Sequence, residues 1–134
     1  MISIDWKTEP QLDLDHIETW LETSAEKENK ILGDIALIIG SDQWLLEYNQ
    51  EYLNHDYFTD IITFDYVEGN IISGDLLISL DRVMDNASSL NVSRETELNR
   101  VVIHGFLHLC GYSDKSKEDQ EIMRKKEDMY LELL

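Results

Sequence analysis

The chain has 134 residues, a net charge of −17 and 43% hydrophobic residues. A chain of this length is expected to form one domain, residues 1–134, whose core needs no disulfide or metal to fold. The charge opposes non-specific nucleic-acid binding, which depends on Lys and Arg beside phosphates. Between residues 31 and 113 those cations are Arg82, Arg94 and Arg100 alone, so nucleic-acid contact would require local positive charge, a metal ion or a partner protein.

The sequence contains no pattern of a membrane or secreted protein. No apolar stretch approaches the roughly 18 residues of a membrane-spanning helix, and the N-terminus lacks a signal-peptide pattern. Cys110 is the only cysteine and has no partner for a disulfide within the chain. We therefore expect a cytoplasmic protein with no membrane partner.

The first third of the chain predicts two parallel strands joined by a helix. Ile2–Trp6 alternates apolar and polar residues, and Ile31–Gly40 is a short continuous apolar run, as in a strand covered on both faces. Residues 12–29 carry apolar residues at helical spacing. Because strand-helix-strand crossovers are right-handed, the two strands should be parallel. Ser41 is then predicted to cap a helix over Asp42–Leu53.

The middle of the chain predicts an antiparallel hairpin. Residues 59–67 and Ile71–Ser79 are strand-like and flank a turn at Gly69-Asn70. One of these strands must then lie at the edge of an otherwise parallel sheet. An extended polymer is expected to bind beside such an edge.

The last third predicts three helices. Leu80–Leu90 is the first, and Ser93 is predicted to cap a long second helix that is apolar on most sides and therefore central. A third, over residues 116–133, is predicted to be amphipathic. Its expected inward residues are Ile122, Met123, Met129 and Leu133.

The motif H-x-x-x-H-x-x-G-x-x-D spans residues 104–114. His104 and His108 are one helical turn apart, so both rings leave the same face of the helix. A left-handed cap at Gly111 would let Asp114 bring a third ligand to the same point. The pattern matches the metzincin frame H-E-x-x-H-x-x-G-x-x-H except that Gly105 replaces Glu and Asp114 replaces the last His. The frame predicts a metal site, and the missing Glu argues against a protease.

Each residue of this motif also has an ordinary structural interpretation. A single histidine on an apolar helix is more often a satisfied core residue than a ligand, so only the combined spacing favours a metal. Gly105 costs about 1 kcal/mol in a helix relative to Ala and indicates close packing or close substrate approach. Cys110 falls on roughly the opposite side of the helix and is interpreted as a small buried hydrophobe.

Three protein ligands leave one position for water, as in catalytic zinc sites. A carboxylate in place of a third histidine lowers the charge of the metal and its ligands from +2 to +1, which should make a bound water less acidic. Two His and one carboxylate also describe the facial triad of non-haem iron. We therefore expect one Zn²⁺ per chain, with another divalent metal as the alternative.

At these residues the sequence resembles the YbeY family, the metal-dependent endoribonucleases of bacterial rRNA maturation. Residues 104–112, H-G-F-L-H-L-C-G-Y, fit the family signature H-G-x-L-H-L-x-G-Y-D-H. Residues 49–64 are similar to its N-x-x-Y-R-x-x-D-x-P-T-D-V-L-S-F stretch, and residues 74–79 to its G-D-I/L-x-I-S strand. The similarity covers about residues 41–130 in the family's order and spacing.

Three departures from the family pattern affect the site. Asp114 stands at the third ligand position, where the family has His, and Phe58 replaces a Pro. Leu53 replaces an Arg that is expected to face the RNA cleft, so phosphate binding is expected to be weakened. The candidates to replace that cation are Arg82, Arg94 and Arg100.

The resemblance implies an α+β, zincin-like fold. Its small four-stranded mixed sheet would be mostly parallel, with one antiparallel edge strand, and helices would pack it with the metal-site helix at the centre. The implied activity is zinc-dependent, single-strand-specific RNA cleavage in rRNA maturation and ribosome quality control. His104, His108 and Asp114 would be both the zinc ligands and the catalytic residues.

The resemblance also implies where the substrate would bind. A groove near Thr59, Asp60 and Asp75 would admit the RNA strand. The general base is open between metal hydroxide, Asp60 and a ribose 2′-hydroxyl. The implied partners are rRNA and the small ribosomal subunit, then ribosomal proteins and an assembly GTPase; DNA is not expected.

Three other functions remain as alternatives. A ribosome-assembly factor with a structural metal is favoured by the charge of −17, because an acidic surface complements basic ribosomal proteins. A metallohydrolase acting on peptides fits the ligand frame but is opposed by Gly105. An iron oxygenase, which would use the same two histidines and one carboxylate, is the third alternative.

Overall fold

The computed structural model describes residues 1–134 and contains four strands and five helices. In chain order these are β1 (Ile2–Trp6), α1 (Ile17–Lys27), β2 (Ile31–Gly40), α2 (Asp42–Leu53), β3 (Ile61–Asp65), β4 (Ile71–Ser79), α3 (Leu80–Leu90), α4 (Arg94–Leu109) and α5 (Lys117–Leu131).

The strands form one mixed sheet in the order β1-β2-β4-β3. β1 pairs with β2 and β2 with β4 in parallel, whereas β3 runs antiparallel to β4 at the edge. This arrangement confirms the predicted fold class, including the parallel first pair and the antiparallel edge strand.

The two faces of the sheet are packed differently. Alternation along β2 points Ile35, Leu37 and Ile39 into the main core, which also contains residues of α1, α3, α4 and α5. On the other face α2 packs a small cluster in which Leu45 meets Ile62 and Leu77. The helix that carries the two motif histidines, α4, therefore belongs to the main core.

Two residues, Ser93 and Gly105, determine where α4 begins and how closely it packs against the sheet. Ser93 caps its start by accepting a hydrogen bond from the Thr96 amide, as predicted. A Cβ at Gly105 would lie 2.6 Å from Cδ1 of Ile61 and 2.9 Å from Cδ2 of Leu76. Glycine at this position therefore lets α4 approach β3 and β4 closely, which is the packing interpretation of Gly105.

Two predicted boundaries are wrong. α1 begins at Ile17 and not near residue 12, because the Asp13 carboxylate accepts the Asp15 amide in a turn that precedes the helix. β3 covers only Ile61–Asp65 and leaves Thr59 in the preceding loop.

No helix combines the length and the apolar character that crossing a membrane requires.

The predicted inward face of α5 is also wrong in part. Met123 is buried as predicted, but Ile122, Met129 and Leu133 are exposed. The other buried residues of α5 are Glu127 and Tyr130. A charged residue therefore occupies the centre of the inward face, and a hydrophobic pattern does not reveal it.

Candidate metal centre

Three side-chain atoms that could bind a metal lie close together where α4 ends, and we call them the donor triangle. The Nε2 atoms of His104 and His108 are 3.0 Å apart, and Oδ2 of Asp114 lies 3.3 Å from each. Tetrahedral ligands at the usual zinc distances of about 2.0–2.1 Å are themselves about 3.3 Å apart. The spacing of these three donors therefore fits one metal ion, and the cluster is a potential metal site.

The second nitrogen of each ring fixes its orientation. His108 Nδ1 donates to the Tyr112 carbonyl at 2.8 Å, and His104 Nδ1 lies 2.7 Å from Oε2 of Glu127. Since a carbonyl and a carboxylate only accept, both Nδ1 atoms carry a proton. Both Nε2 atoms therefore face the Asp114 carboxylate and are the ring nitrogens that could bind a cation.

The chain turn after α4 positions the third donor. Gly111 has φ +107°, in the left-handed region that favours glycine, and it confirms the predicted turn. The Gly111 amide donates to the His108 carbonyl, so the turn is bonded to α4 itself. Gln120 of α5 donates to the Asp114 carbonyl at 3.0 Å. The loop that carries Asp114 is therefore fixed to both α4 and α5.

Glu127 connects His104 to a buried ion pair. It is only 5% exposed, and its Oε1 lies 2.8 Å from Nη1 of Arg100. Burial alone would raise the Glu127 pKa, but hydrogen bonds from His104 and Arg100 outweigh it and the pKa is lowered. Burial opposes a charged His104 ring, yet Glu127 and the neighbouring carboxylates raise the His104 pKa. Glu127 is therefore ionised beside the ring.

The sequence alone does not single out Glu127, because this residue lies in a helix rich in charged residues. Its one sequence signal is its spacing from Met123 and Tyr130, which places all three on the same face. That signal is weak, since a Glu between apolar neighbours usually faces solvent.

A cavity of about 750 Å³ opens beside the donors, between α4, α5 and the start of β3. Asp60 lines it, and burial raises the pKa of its carboxyl although the His104 charge opposes the shift. Glu97 also lines it, and burial followed by the charge of Asp60 raises the Glu97 pKa. Thr59 precedes Asp60 but does not line the cavity.

Asp75 lies on the opposite face of the sheet. Its carboxylate accepts a 3.2 Å hydrogen bond from the Tyr66 hydroxyl in a separate aromatic pocket of about 220 Å³. Because Leu76 points into the main core, its neighbour Asp75 must point away from α4. The structure thus places Asp60 beside the three metal-binding atoms, whereas Asp75 lies on the other side of the sheet. A groove at the candidate metal site therefore does not include Asp75.

The remaining candidates occupy different environments. Cys110 packs against the core outside the donor cluster, and burial, then the Glu28 charge, raises its pKa to about 12. Cys110 is only half-buried, so the predicted burial holds in part. Leu53 does not line the cavity. Of the three candidate arginines only Arg100 does, and it is already paired with Glu127 and Asp128.

The fold and the donor set define a class of protein: an α+β, zincin-like domain in which the central helix and the loop after it present a potential three-ligand metal site. The family model described as "Endoribonuclease YbeY" matches residues 3–134. The chain therefore belongs to the endoribonuclease YbeY family, which confirms the family and the hydrolase class predicted from the motif.

Curated relatives and a solved structure agree with this assignment. The chain is 52% identical to a protein of Flavobacterium johnsoniae named endoribonuclease YbeY, over 96% of this chain and 93% of the relative. It is 46% identical to a Bacteroides fragilis protein of the same name, covering 97% and 96% of the two chains. The solution structure of TM1509 from Thermotoga maritima superposes with a TM-score of 0.73 at 31% identity, covering 98% of this chain and 87% of that chain.

Proposed function

We propose that this protein is a zinc-dependent endoribonuclease that cleaves single-stranded RNA during rRNA maturation and ribosome quality control. The observation that carries the proposal is the triangle of donors, 3.0 to 3.3 Å on each side, at a cavity of about 750 Å³. The names of the relatives support the endoribonuclease activity. The rRNA of the small ribosomal subunit is the proposed substrate, and cleavage is proposed to occur in the cytoplasm.

His104, His108 and Asp114 would hold the ion. A bound Zn²⁺ would supply Lewis acidity toward a phosphate oxygen or a water. The task of Glu127 is to accept the Nδ1 proton of His104 and so keep the Nε2 lone pair pointed at the ligand position. The Tyr112 carbonyl has the same task for His108.

Asp60 is the proposed proton acceptor. It lines the same cavity as His104 and Asp114, and burial raises the pKa of its carboxyl. A carboxyl whose pKa is raised exchanges protons more effectively near pH 7 than an exposed Asp does. Asp60 precedes the edge strand β3, so a strand of RNA entering along this edge would pass it.

The structure gives a physical reason against peptide hydrolysis. The protease frame needs a Glu directly after the first histidine, and that position is Gly105. A Cβ there would lie 2.6 Å from Ile61, within the packed contact between α4 and the sheet. A Glu at position 105 would have to begin inside this packed contact, which argues against a protease-type general base at that position.

The test combines elemental analysis of the purified protein with cleavage of single-stranded RNA before and after chelation. His108→Ala is expected to lose both the metal and cleavage. His55→Ala is the matched control, because His55 is an exposed ring outside the cavity. RNA cleavage that survives chelation or His108→Ala unchanged would contradict the proposal.

A second function is favoured by the net charge of −17. In this alternative the protein is a ribosome-assembly factor that binds basic ribosomal proteins, and its metal is structural. Co-sedimentation with small-subunit precursors would then persist in a His104→Ala protein that still folds. Under the main proposal, the same variant would accumulate uncleaved precursor rRNA.

A further inference from the structure

Three cations of α5 line the cavity beside the donor triangle: Lys117, Arg124 and Lys125. All three side chains are exposed, and no carboxylate lies within ion-pair distance of any of them. The nearby cations Arg100 and Lys126 differ, because each is paired with a buried carboxylate. The three cavity cations are therefore free to bind an anion.

Helix geometry explains how α5 holds both Glu127 and these cations. Met123, Glu127 and Tyr130 form its buried stripe, at spacings of four and three residues. Lys117 and Arg124 are seven residues apart, two turns along an adjacent stripe, and so point the same way. They are separated by about 10 Å along the axis, which lets them contact different phosphates.

Carboxylates also line the cavity, but most of them lie outside α5 or are already paired. Asp114 belongs to the donor triangle, and Glu127 is paired with Arg100. Asp60 and Glu97 lie outside α5, before β3 and on α4. The exposed acid of the lining is Glu121, on α5 itself. The α5 wall thus carries more free positive than negative charge.

We propose that Lys117, Arg124 and Lys125 form a phosphate-binding subsite for the RNA strand. This inference rests on the proposed function, because it assigns part of the substrate site for the same reaction. Leu53 stands where the family has an Arg, and it lies outside the cavity. The subsite would supply the positive charge that is missing at that position. It contacts the sugar-phosphate backbone, so it adds affinity without base preference, and it directs the strand along α5 toward the donor triangle.

The test is binding of a fluorescently labelled single-stranded oligouridylate to metal-free protein at several salt concentrations. In Lys117→Gln/Arg124→Gln two phosphate contacts are removed. The slope of log K against log salt is then expected to become shallower by about 1.4, since each single-strand phosphate contributes about 0.7. Affinity is expected to fall on the order of tenfold at low salt, and KM of the zinc-loaded enzyme to rise with little change in kcat.

The matched control is Lys7→Gln/Lys27→Gln, which removes the same charge from residues that do not line the cavity. Its salt slope is expected to equal that of wild type within about 0.3, since it removes no phosphate contact. The subsite would be overturned if the two double variants had the same salt slope. If the wild-type protein cleaved RNA in that case, the proposed function would still stand. Wild-type protein that neither binds nor cleaves RNA would overturn both.

Discussion

His104 donates through Nδ1 to Oε2 of Glu127 at 2.7 Å, across 23 residues and between two helices. Oε1 of the same carboxylate accepts from Arg100 at 2.8 Å. One buried carboxylate therefore orients the ring of a proposed metal ligand and neutralises a cation of α4. This relationship makes α5 part of the proposed metal centre although α5 supplies no ligand itself.

Replacement of Glu127 tests that relationship. Glu127→Gln keeps the size of the side chain but removes the charge that orients His104 and pairs with Arg100. Zinc affinity is expected to fall about 10- to 100-fold, the usual effect of losing such a supporting carboxylate. Competition with a chromogenic chelator measures this affinity without any RNA. Glu132→Gln, an exposed acid just after α5, is the control, and equal affinities for the two variants would contradict the assigned role.

Replacement of Asp114 by histidine tests the charge of the donor set. Asp114→His raises the charge of the metal and its ligands in the proposed site from +1 to +2. The higher charge favours deprotonation of a bound water at lower pH. The pH at which RNA cleavage reaches half its maximum is expected to fall, while one zinc per chain is retained. The pH profile of kcat and elemental analysis measure the two outcomes. A profile that is unmoved or shifted to higher pH would contradict this account.

Burial of Glu97 predicts a particular pH dependence of stability. Burial and the Asp60 charge raise its folded pKa above the unfolded value, so the folded protein binds this proton more tightly. The resulting stability is fully present below the unfolded pKa of about 4.3. It is lost as the pH rises through the folded pKa. Glu97→Gln should therefore increase the free energy of unfolding at neutral pH more than at pH 4.

Urea denaturation of the metal-free protein at both pH values measures this difference. Glu95→Gln, at an exposed position of the same first turn of α4, controls for the loss of charge near the helix N-terminus. It is expected to destabilise slightly, since an acid there stabilises a helix by about 0.3–1 kcal/mol. A Glu97→Gln protein that is less stable than wild type at neutral pH would contradict the prediction.

Close packing at Gly105 predicts that alanine is destabilising there despite its higher helix propensity. The added Cβ would displace the methyl ends of Ile61 and Leu76. Overpacking of a core typically costs about 1–3 kcal/mol, against a helix-propensity gain of about 1 kcal/mol. We expect Gly105→Ala to lower the free energy of unfolding by about 1 kcal/mol. Ser89→Ala, at an exposed position of α3, should instead be slightly stabilising in the same urea denaturation experiment.

Local patterns in the sequence were sufficient for most of the fold. The short apolar run of Ile31–Gly40 and the Gly69-Asn70 turn identified β2 and the hairpin, because strand length and turn chemistry are local properties. Helix caps at Ser41 and Ser93 were also correct, since a cap depends on its nearest neighbours. The i, i+4 spacing placed His104 and His108 together for the same reason.

Only the tertiary structure decided what surrounds that motif. Glu127 belongs to the site because α5 packs with this carboxylate inward between Arg100 and His104, a contact between distant segments. Asp75 is separated from the cavity by the sheet itself, although it lies in a family motif. The cations Lys117 and Arg124 line the cavity for a similar reason, since helix packing and not local sequence sets which stripe of α5 faces it.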